Sequence, residues 1–342
     1  MASSGRLTGA GGPGFEIVEK ARNTIERFRM LEGAASGSVV IAVSGGPDST
    51  CLLDVMSRLA PAYDLTLEVA HVDHRLSDTS EEVAASVASV AARDGLNVHV
   101  GRAPDLTGSN LHARARSFRY AFLETVAAEV GAARIATGHT LDDRVETTLA
   151  RLIHGAATEG LAGIPPADRL RIRPLIGVRR QETRAYCEDR GLGFFEDPAN
   201  EDERFERSVV RHSVVKAIEE RWGPGAIRAI ASSSERLRED AEFLNELAST
   251  VYERVAARGD DEVKIDRELF AELGRALRRR VLERAIGRVR DRSGGIQAAL
   301  DATERGPSTG ARFAVAEGLE IAFEKEHIVV RSTDGGVQAG AE

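Results

Sequence analysis

The segment from Ser38 to Ser49 constrains the fold of this chain more than any other. Ser38–Val43 is a β-branched apolar run typical of a buried strand, and it leads into a Gly-Gly turn that opens a helix. Glycines adopt positive φ and leave no Cβ in the path of a ligand. Their N–H groups and the helix N-terminus together form a cradle for an anion. The segment therefore predicts a phosphate-binding loop at the end of a buried strand.

The side chains of this loop also suit phosphate. The residues expected to hold a nucleotide are Ser44, Gly45, Gly46, Pro47, Asp48 and Ser49. Pro47 suits the first helical turn, and the two serines add hydroxyl donors. Asp48 either caps the helix or holds Mg²⁺ on pyrophosphate. The loop is not a Walker A loop, because it lacks the lysine of G-x-x-x-x-G-K-S/T. The pattern S-G-G-x-D-S after a strand instead resembles the loop of PP-loop ATP pyrophosphatases. Those enzymes cleave ATP between its α- and β-phosphates.

Strand-like and helix-like segments alternate through the first part of the chain. Strands are predicted at Ser38–Val43, Leu65–His71, Asn97–Arg102, Arg134–Gly138 and Ile172–Ile176. Helices are predicted at Phe15–Leu31, from the loop to Ala60, and at Glu81–Asp94, Leu111–Val130, Leu141–Ile153 and Arg179–Arg190. This alternation favours an α/β fold with a doubly wound parallel sheet. Ligands of such sheets bind beyond the carboxyl ends of the strands.

The pattern changes after Gly193. Helices are predicted at Glu203–Arg221, Pro224–Arg258 and Asp266–Val289, and a small antiparallel meander at Ala311–Val315, Leu319–Phe323 and Ile328–Arg331. We therefore expect a flexible leader (1–14), a PP-loop catalytic domain (15–215), a mostly helical accessory domain with a small antiparallel sheet (216–334), and a tail (335–342).

Composition excludes some classes of protein. The chain has 342 residues, of which 42% are hydrophobic and 29% charged, as in ordinary globular proteins. No apolar run approaches the roughly 18 residues of a membrane span, and the N-terminal segment lacks the apolar centre of a secretory signal. We therefore expect a cytoplasmic protein with no membrane partner. Cys51 and Cys187 form no C-x-x-C pair, which argues against a zinc knuckle, an iron–sulfur site or a disulfide framework.

Local arginine runs offset the net charge of −8, which by itself is unusual for a nucleic-acid-binding protein. One run spans 275–292 and includes Arg279 and Arg280; the other spans 169–184. Each is either a solvated helix face or a phosphate-binding surface. Aromatic residues make up only 5% of the chain, so base stacking would rest on arginine planes or on a few rings. The candidate rings are Phe194, Phe195 and Trp222.

An acidic segment follows the fourth strand. His139, Asp142 or Asp143, and Glu146 are three or four residues apart, so they share one face of a helix. Thr140 as N-cap, with Asp143 three residues on, accounts for one acid or two. It does not account for Glu146. An acidic pocket here would bind an ammonium group, such as that of a free amino acid, or accept a proton from an amine nucleophile.

The second strand ends in His71-Val72-Asp73-His74. Imidazoles and a carboxylate at a strand end bind either a nucleotide or a metal, and two histidines without further ligands are a weak metal pattern. We expect His71 and Asp73 to lie beside the nucleotide, and His74 to have a structural role.

In their order along the chain, these motifs resemble the tRNA(Ile)-lysidine synthetase family from residue 38 to residue 215. The segments that carry the resemblance are the 44–49 loop, His71–His74, Gly138–Thr147, Gly155, Gly160–Ile164, Arg173–Leu175, Glu196–Asn200, Arg207 and Arg211. The resemblance implies a PP-loop fold of the adenine nucleotide alpha hydrolase-like type, and family precedent favours a homodimer.

The resemblance also implies an ATP-dependent carbon–nitrogen ligase. The family adenylates the wobble cytidine of a CAU-anticodon tRNA(Ile) through O2 and releases pyrophosphate. The ε-amine of free L-lysine then attacks C2 and displaces AMP. In this chain Asp48 would hold Mg²⁺, and His139 would lie beside the adenylate and the lysine. The candidates for gripping or deprotonating the lysine ammonium are Asp142, Asp143 and Glu146.

Arginines are the expected tRNA contacts. Arg207 and Arg211 match a basic motif of the family. Arg279 and Arg280 belong to the later arginine run, within the accessory domain (216–334) that the resemblance implies binds tRNA. Contacts to phosphate position an RNA without reading its sequence. The chain departs from the family pattern at three positions. These are Ser77, Arg144 and Ser208, where the family commonly has arginine, glutamine and asparagine.

Three other functions fit parts of the pattern. A tRNA base thiolase shares the PP-loop but usually carries cysteines for sulfur handling or an iron–sulfur cluster. An amidotransferase-type synthetase normally needs a glutaminase domain or partner. A non-catalytic nucleotide-binding module would be expected to lack Asp48 or the acidic helix, and both are intact here.

Overall fold

A five-stranded parallel sheet forms the centre of the first part of the chain. The computed structural model describes residues 14–33, 37–73, 80–104, 111–195, 206–287, 294–306, 308–316 and 318–333. The strands are β1 (Ser38–Ala42), β2 (Thr66–Asp73), β3 (Asn97–Arg102), β4 (Ala132–Thr137) and β5 (Arg171–Ile172), in the order β3-β2-β1-β4-β5. Every neighbouring pair is parallel. The order reverses between β1 and β4, so the predicted doubly wound α/β fold is confirmed.

Helices cover both faces of this sheet. The helices of this part of the chain are α1 (Phe15–Arg27), α2 (Pro47–Tyr63), α3 (Ser80–Arg93), α4 (Leu111–Glu129), α5 (Leu141–Ile153), α6 (Thr158–Leu161) and α7 (Arg180–Asp189). Val39 and Ile41 of β1 pack into the core formed with α1, α2 and α7. Val40, between them, packs on the other face against Leu123 and Val126 of α4. The continuous apolar run of β1 follows from this, because both faces of the strand are buried.

The last strand of the sheet is shorter than expected. The strand predicted at Ile172–Ile176 is limited to Arg171–Ile172. Pro174 has no N–H to donate to a sheet ladder, and the chain turns here, with the Ile176 N–H donating to the Arg173 carbonyl at 3.1 Å. Leu175 and Ile176 are buried in this turn rather than in a strand.

The region after the sheet is helical in its described part. It comprises α8 (Glu206–Val209), a π-helical segment (Val210–Val215), α9 (Lys216–Trp222) and α10 (Pro224–Val255). The predicted helix Glu203–Arg221 is therefore interrupted by a π-helical turn, a feature frequent at functional sites. Val210 and Ile227 pack with Leu141 and Val145 of α5, so this region covers α5.

The chain divides into two compact units, one ending at Arg238 and one beginning at Glu239. This division lies within α10, later than the boundary predicted at 215/216. The reason is the packing of the helix: Ile227 and Ala231 belong to a core cluster with α5, whereas Val251 and Val255 belong to the core of the second unit.

A five-stranded antiparallel sheet forms the second unit together with three helices of its described part. The strands are β6 (Ala256–Arg258), β7 (Glu262–Asp266), β8 (Arg312–Ala316), β9 (Leu319–Phe323) and β10 (His327–Ser332), in the order β6-β7-β10-β9-β8. The helices are α11 (Arg267–Glu272), α12 (Arg275–Ile286) and α13 (Gly295–Arg305). The predicted meander is present as β8–β10.

Two predictions for this unit are wrong. The long helix predicted to Arg258 ends at Val255, because the next three residues pair with β7. The single helix predicted over Asp266–Val289 is two helices in its described part, α11 and α12, separated by Leu273 and Gly274. Asp266 caps the first of them, because its carboxylate accepts from the Leu269 N–H at 2.9 Å. The alternation of buried Val263 and Ile265 with polar neighbours marks β7 as a strand. Helix α13 was not predicted from the sequence.

Most of the predicted leader and all of the predicted tail lie outside the described residues. Within the described part of the chain, no helix is long and apolar enough to cross a membrane.

A buried charge cluster joins α5 to α10. Arg144 and Glu235 are 6% and 8% exposed and form an ion pair. Glu235 also accepts from Arg238 at 2.8 Å and from Arg27 at 3.3 Å. Beside it, the Thr148 hydroxyl donates to Ser234 Oγ at 3.2 Å. Arg144, a departure from the family pattern, is thus neutralised from another helix.

Replacing Glu235 by alanine should destabilise the first unit. The change removes the carboxylate from a buried guanidinium, which typically costs about 3 kcal/mol or more. We expect a clear drop in the thermal midpoint of E235A. The matched control is D240A, which removes an exposed carboxylate from the same helix and should unfold like the unmodified chain. Equal midpoints for the two variants would contradict the stabilising role of Glu235.

Candidate active site

The phosphate loop lies between β1 and α2, at the carboxyl edge of the sheet. Gly45 has φ +89°, and Gly46 is extended and precedes Pro47 in the first helical turn. Ser49 is buried; its Oγ accepts from the Ser44 N–H at 3.1 Å and its hydroxyl donates to the Gly46 carbonyl at 3.0 Å. Ser49 therefore holds the shape of the loop. Ser44, which is exposed, is the more accessible hydroxyl.

Two glycines allow the backbone to pack closely around this loop. A Cβ on Gly45 would lie 2.4 Å from Cγ1 of Val83. A Cβ on Gly138, just after β4, would lie 3.0 Å from the Asp48 carbonyl oxygen and 3.1 Å from Ser49 N. The segment that begins the acidic motif is thus pressed directly against the start of α2.

The end of β2 lies next to the loop. His71 is buried, and its Nδ1 lies 2.8 Å from the carbonyl oxygen of Val43, the residue before the loop. A carbonyl only accepts, so Nδ1 carries a proton. Asp73 ends the strand and is also buried. Residues 74–79, with the predicted His74 and the departure at Ser77, lie outside the described residues, as does Glu196–Asn200.

The three acids of α5 point to different partners. Asp142 accepts from Arg179 Nε at 3.1 Å and from the Arg180 N–H at 2.7 Å, so it anchors the start of α7. Asp143 closes a capping box with Thr140, whose N–H donates to Oδ2 at 2.7 Å. Glu146 is 1% exposed. The expected common face thus comprises Asp143 and Glu146, and Asp142 lies apart from it.

Three arginines cover the carboxylates of Asp143 and Glu146. Arg180 donates to Asp143 at 2.8 Å and to Glu146 at 2.9 Å. Arg207 donates to the same two residues at 2.8 and 3.1 Å, and Arg211 donates to Glu146 at 2.8 Å. Arg207 and Arg211, two of the four arginines predicted to contact tRNA, are therefore paired with the acidic face. The side chain of Arg207 is 45% exposed.

Arg180 also reaches the phosphate loop, which the sequence analysis did not anticipate. Its Nε lies 3.5 Å from an Asp48 oxygen, and the Thr183 hydroxyl donates to the same carboxylate. One guanidinium thus contacts Asp48, Asp143 and Glu146. Arg180 was not singled out because it is one of several arginines in the run 169–184. Its position at the start of the predicted helix 179–190 was the feature that could have indicated a role in the site.

Burial and charge tune the ionisable groups of the loop and strand end. Burial raises the pKa of the Asp48 carboxyl to about 6, although Arg180 favours its ionised form. Burial lowers the pKa of His139 to about 4, so its ring is neutral at pH 7. Its Nδ1 lies 2.9 Å from the Thr137 hydroxyl oxygen. A neutral imidazole here offers one donor and one acceptor.

The pair formed by Asp143 and Arg180 remains ionised. Burial opposes the charge on Asp143, but the cations Arg180 and Arg207 hold the pKa of this carboxyl below its ordinary value. Burial likewise opposes the charge on Arg180, but the surrounding carboxylates raise the pKa of its guanidinium. The cluster is therefore a fixed array of charges, and Asp143 is suited to holding a cation rather than to taking up a proton.

In its described part, residues 275–287, the later arginine run does not form one open face. Arg280 donates to Asn245 Oδ1 at 2.9 Å, and Arg275 pairs with Asp301 at 2.5 Å. Arg278 donates to the carbonyl of Phe270 at 3.1 Å. Arg279 is partly exposed. The contact of Arg279 and Arg280 with tRNA stays a prediction.

Comparison with known proteins identifies the family. Residues 18–218 match the family model described as the PP-loop domain. A tRNA(Ile)-lysidine synthase of Leifsonia xyli subsp. xyli is 35% identical over 255 residues, which cover 74% of this chain and 77% of that protein. The chain belongs to the tRNA(Ile)-lysidine synthase family. The resemblance predicted from the motifs is confirmed.

Other lysidine synthases are longer than the part that this chain matches. The relative from Symbiobacterium thermophilum is 38% identical over 289 residues, and the chain spans 59% of its length. Among solved structures, a U34-tRNA thiolase from Methanococcus maripaludis has a TM-score of 0.55 with 20% identity, over 66% of this chain and 78% of that one. At this identity the likeness extends to the fold alone.

Replacing Gly138 by alanine should weaken ATP binding. The new Cβ meets backbone atoms of Asp48 and Ser49, so the loop must shift, and overpacking of this kind typically costs 1–3 kcal/mol. We expect ATP affinity, measured by calorimetry, to fall about tenfold or more. The control G225A adds a methyl group where no atom lies within 4 Å. If G138A bound ATP as tightly as G225A, the loop would not depend on this close contact.

Proposed function

We propose that this chain ligates L-lysine to C2 of the wobble cytidine of a CAU-anticodon tRNA(Ile), with ATP cleaved to AMP and pyrophosphate. The observation that carries the proposal is the reach of Arg180, which contacts Asp48 of the phosphate loop at 3.5 Å and Glu146 of the acidic face at 2.9 Å. A phosphate site and a site for an organic cation therefore adjoin. Ligation of an amine through an adenylate needs both.

The first step is adenylation of the RNA. The cytidine O2 attacks the α-phosphorus of ATP, and pyrophosphate leaves from the opposite side. The N–H groups at the start of α2 and the Ser44 hydroxyl bind the phosphates. The loop conformation held by Ser49 and Gly45 leaves this backbone open to them.

Asp48 is the residue that would hold Mg²⁺. Among the described residues, no group of three or more His, Cys, Asp or Glu side chains is placed to hold a metal by itself. Mg²⁺ is commonly held by one or two carboxylates together with substrate phosphates, so a single carboxylate at the loop fits it. The ion would neutralise charge on the departing pyrophosphate.

The second step is attack by the lysine ε-amine on C2, with AMP leaving together with the former O2. Asp143 and Glu146 are the candidates for binding the lysine ammonium, and Glu146 is the candidate for receiving its proton. Asp142 has a different role, because its oxygens hold Arg179 and the start of α7. His139, neutral and next to Asp143, would contact the adenylate.

Lysine and arginine compete for the same oxygens in this scheme. Both oxygens of Glu146 accept from guanidinium groups, so an ammonium reaches them only when one arginine moves away. Arg207 is the most exposed of the three arginines. An RNA phosphate that draws Arg207 outward would free Glu146 for lysine, so one movement would serve both of the roles predicted from the sequence.

The remaining expectations concern partners and place. Arg279 and Arg280 would add phosphate contacts from the accessory part of the chain, the enzyme would act in the cytoplasm, and a homodimer follows from family precedent.

The properties of the two cysteines argue against a thiolase reaction. Cys51 and Cys187 are buried, and burial raises the pKa of Cys187 to about 12, so neither is suited to act as a thiolate.

The direct test is incorporation of labelled lysine into a tRNA(Ile) transcript with a CAU anticodon, in the presence of ATP and Mg²⁺. We expect stable incorporation that is lost when the wobble cytidine is replaced by uridine. Pyrophosphate release that depends on tRNA but occurs without incorporation of lysine would contradict the choice of amine, while retaining the adenylation step.

Changing Glu146 to glutamine should separate the two steps. The variant keeps the shape of the side chain but loses the charge that attracts an ammonium, and hydrogen bonds to charged groups contribute about 1.5–3 kcal/mol. We expect the KM for lysine to rise about tenfold or more, with tRNA-dependent pyrophosphate release in the absence of lysine unchanged. The control E159Q alters an exposed residue of α6. An unchanged KM in E146Q would remove Glu146 from the lysine site.

A further inference from the structure

A second group of cations lies on α4 and is not used in the mechanism above. We call it the α4 cluster: Arg116, Arg119 and Tyr120 of α4, with Arg171 of β5. The guanidinium carbons of Arg116, Arg119 and Arg171 lie 4.9, 5.4 and 4.9 Å from the centre of the Tyr120 ring. Three cations thus gather around one aromatic ring, at distances typical of cation–π contacts.

The cluster carries excess positive charge. Arg171 is balanced by Asp168, at 3.1 Å. In the part of the chain that the structure describes, no ion pair joins Arg116 or Arg119 to a carboxylate. Burial lowers the pKa of Arg119. Tyr120 acts in the opposite direction, and the neighbouring cations Arg116 and Arg207 add to the lowering. A partly buried guanidinium among other cations is costly unless an anion neutralises it.

The position of the cluster separates it from the ATP site. The phosphate loop opens α2, which packs on the face of the sheet that includes Val39 and Ile41. Helix α4, with Tyr120, packs on the opposite face, against Val40. Both Arg119 and Arg207 act electrostatically on His139. The cluster therefore borders the candidate active site from the side opposite to the nucleotide loop.

We infer that the α4 cluster binds the RNA strand next to the reacting cytidine, with Arg116 and Arg119 on a backbone phosphate and the Tyr120–Arg171 surface against a base. Single-stranded RNA is commonly held in this way, by cations on the backbone together with aromatic or guanidinium planes against the bases. ATP already has its phosphate site at the loop, so RNA is the phosphate source that needs a site on this face. The inference rests on the proposed function for the identity of the RNA.

Binding of a labelled anticodon stem-loop of tRNA(Ile), measured by anisotropy over a series of salt concentrations, tests this directly. We expect R116Q and R119Q each to weaken binding about tenfold. The plot of log affinity against log salt should become shallower by about 0.7 for each single-strand phosphate that the variant no longer neutralises.

The control variant R236Q removes one exposed charge from α10 and should bind the stem-loop like the unmodified chain. ATP affinity and the thermal midpoint should stay unchanged in R116Q, whose side chain is exposed.

Stem-loop binding by R116Q and R119Q equal to that of R236Q would overturn the inference, and so would an unchanged dependence of affinity on salt. A loss confined to ATP affinity would also overturn it, because the cluster would then bind nucleotide phosphate. Failure of the proposed lysine ligation is a separate outcome. A chain that binds the stem-loop through Arg116 and Arg119 but transfers no lysine would keep this surface and lose the proposed amine.

Discussion

The guanidinium of Arg180 lies among three carboxylates, those of Asp48, Asp143 and Glu146, which would otherwise repel one another. These carboxylates come from two helices that follow different strands, so the arginine connects the phosphate loop to the acidic face. The backbone of Arg180 is held in place by Asp142, whose carboxylate accepts a hydrogen bond from the Arg180 N–H. The arrangement of the candidate site therefore depends on how α7 is anchored to α5.

The doubly wound sheet supplies the second constraint. Successive residues of β1 face opposite sides, and the helix that carries the phosphate loop packs on one side while the helix that carries the α4 cluster packs on the other. The start of α2 lies against Gly138, and Arg119 of α4 acts electrostatically on the next residue, His139. The carboxyl edge of such a sheet allows a nucleotide and a much larger polymer to approach the same few atoms from different directions.

The sequence allowed much of this to be predicted where local rules decide. The parallel sheet, the phosphate loop and the bounds of α5 follow from apolar runs, glycine positions and capping. It failed where contacts between distant segments decide. Helical spacing left open whether Asp142 or Asp143 shares a face with Glu146, because spacing cannot show that the N-terminus of α7 binds the Asp142 carboxylate. Similarly, β6 follows a long helical pattern and becomes a strand only because β7 pairs with it.

The ion pair of Arg144 with Glu235 has a consequence for how this chain can change over time. A neutral residue at 144 would leave the Glu235 carboxylate buried with less neutralisation, and a neutral residue at 235 would remove this ion pair from the buried Arg144 cation. Either single step passes through a less stable protein. Positions 144 and 235 lie on helices far apart in sequence. We therefore expect substitutions at these two positions to occur together.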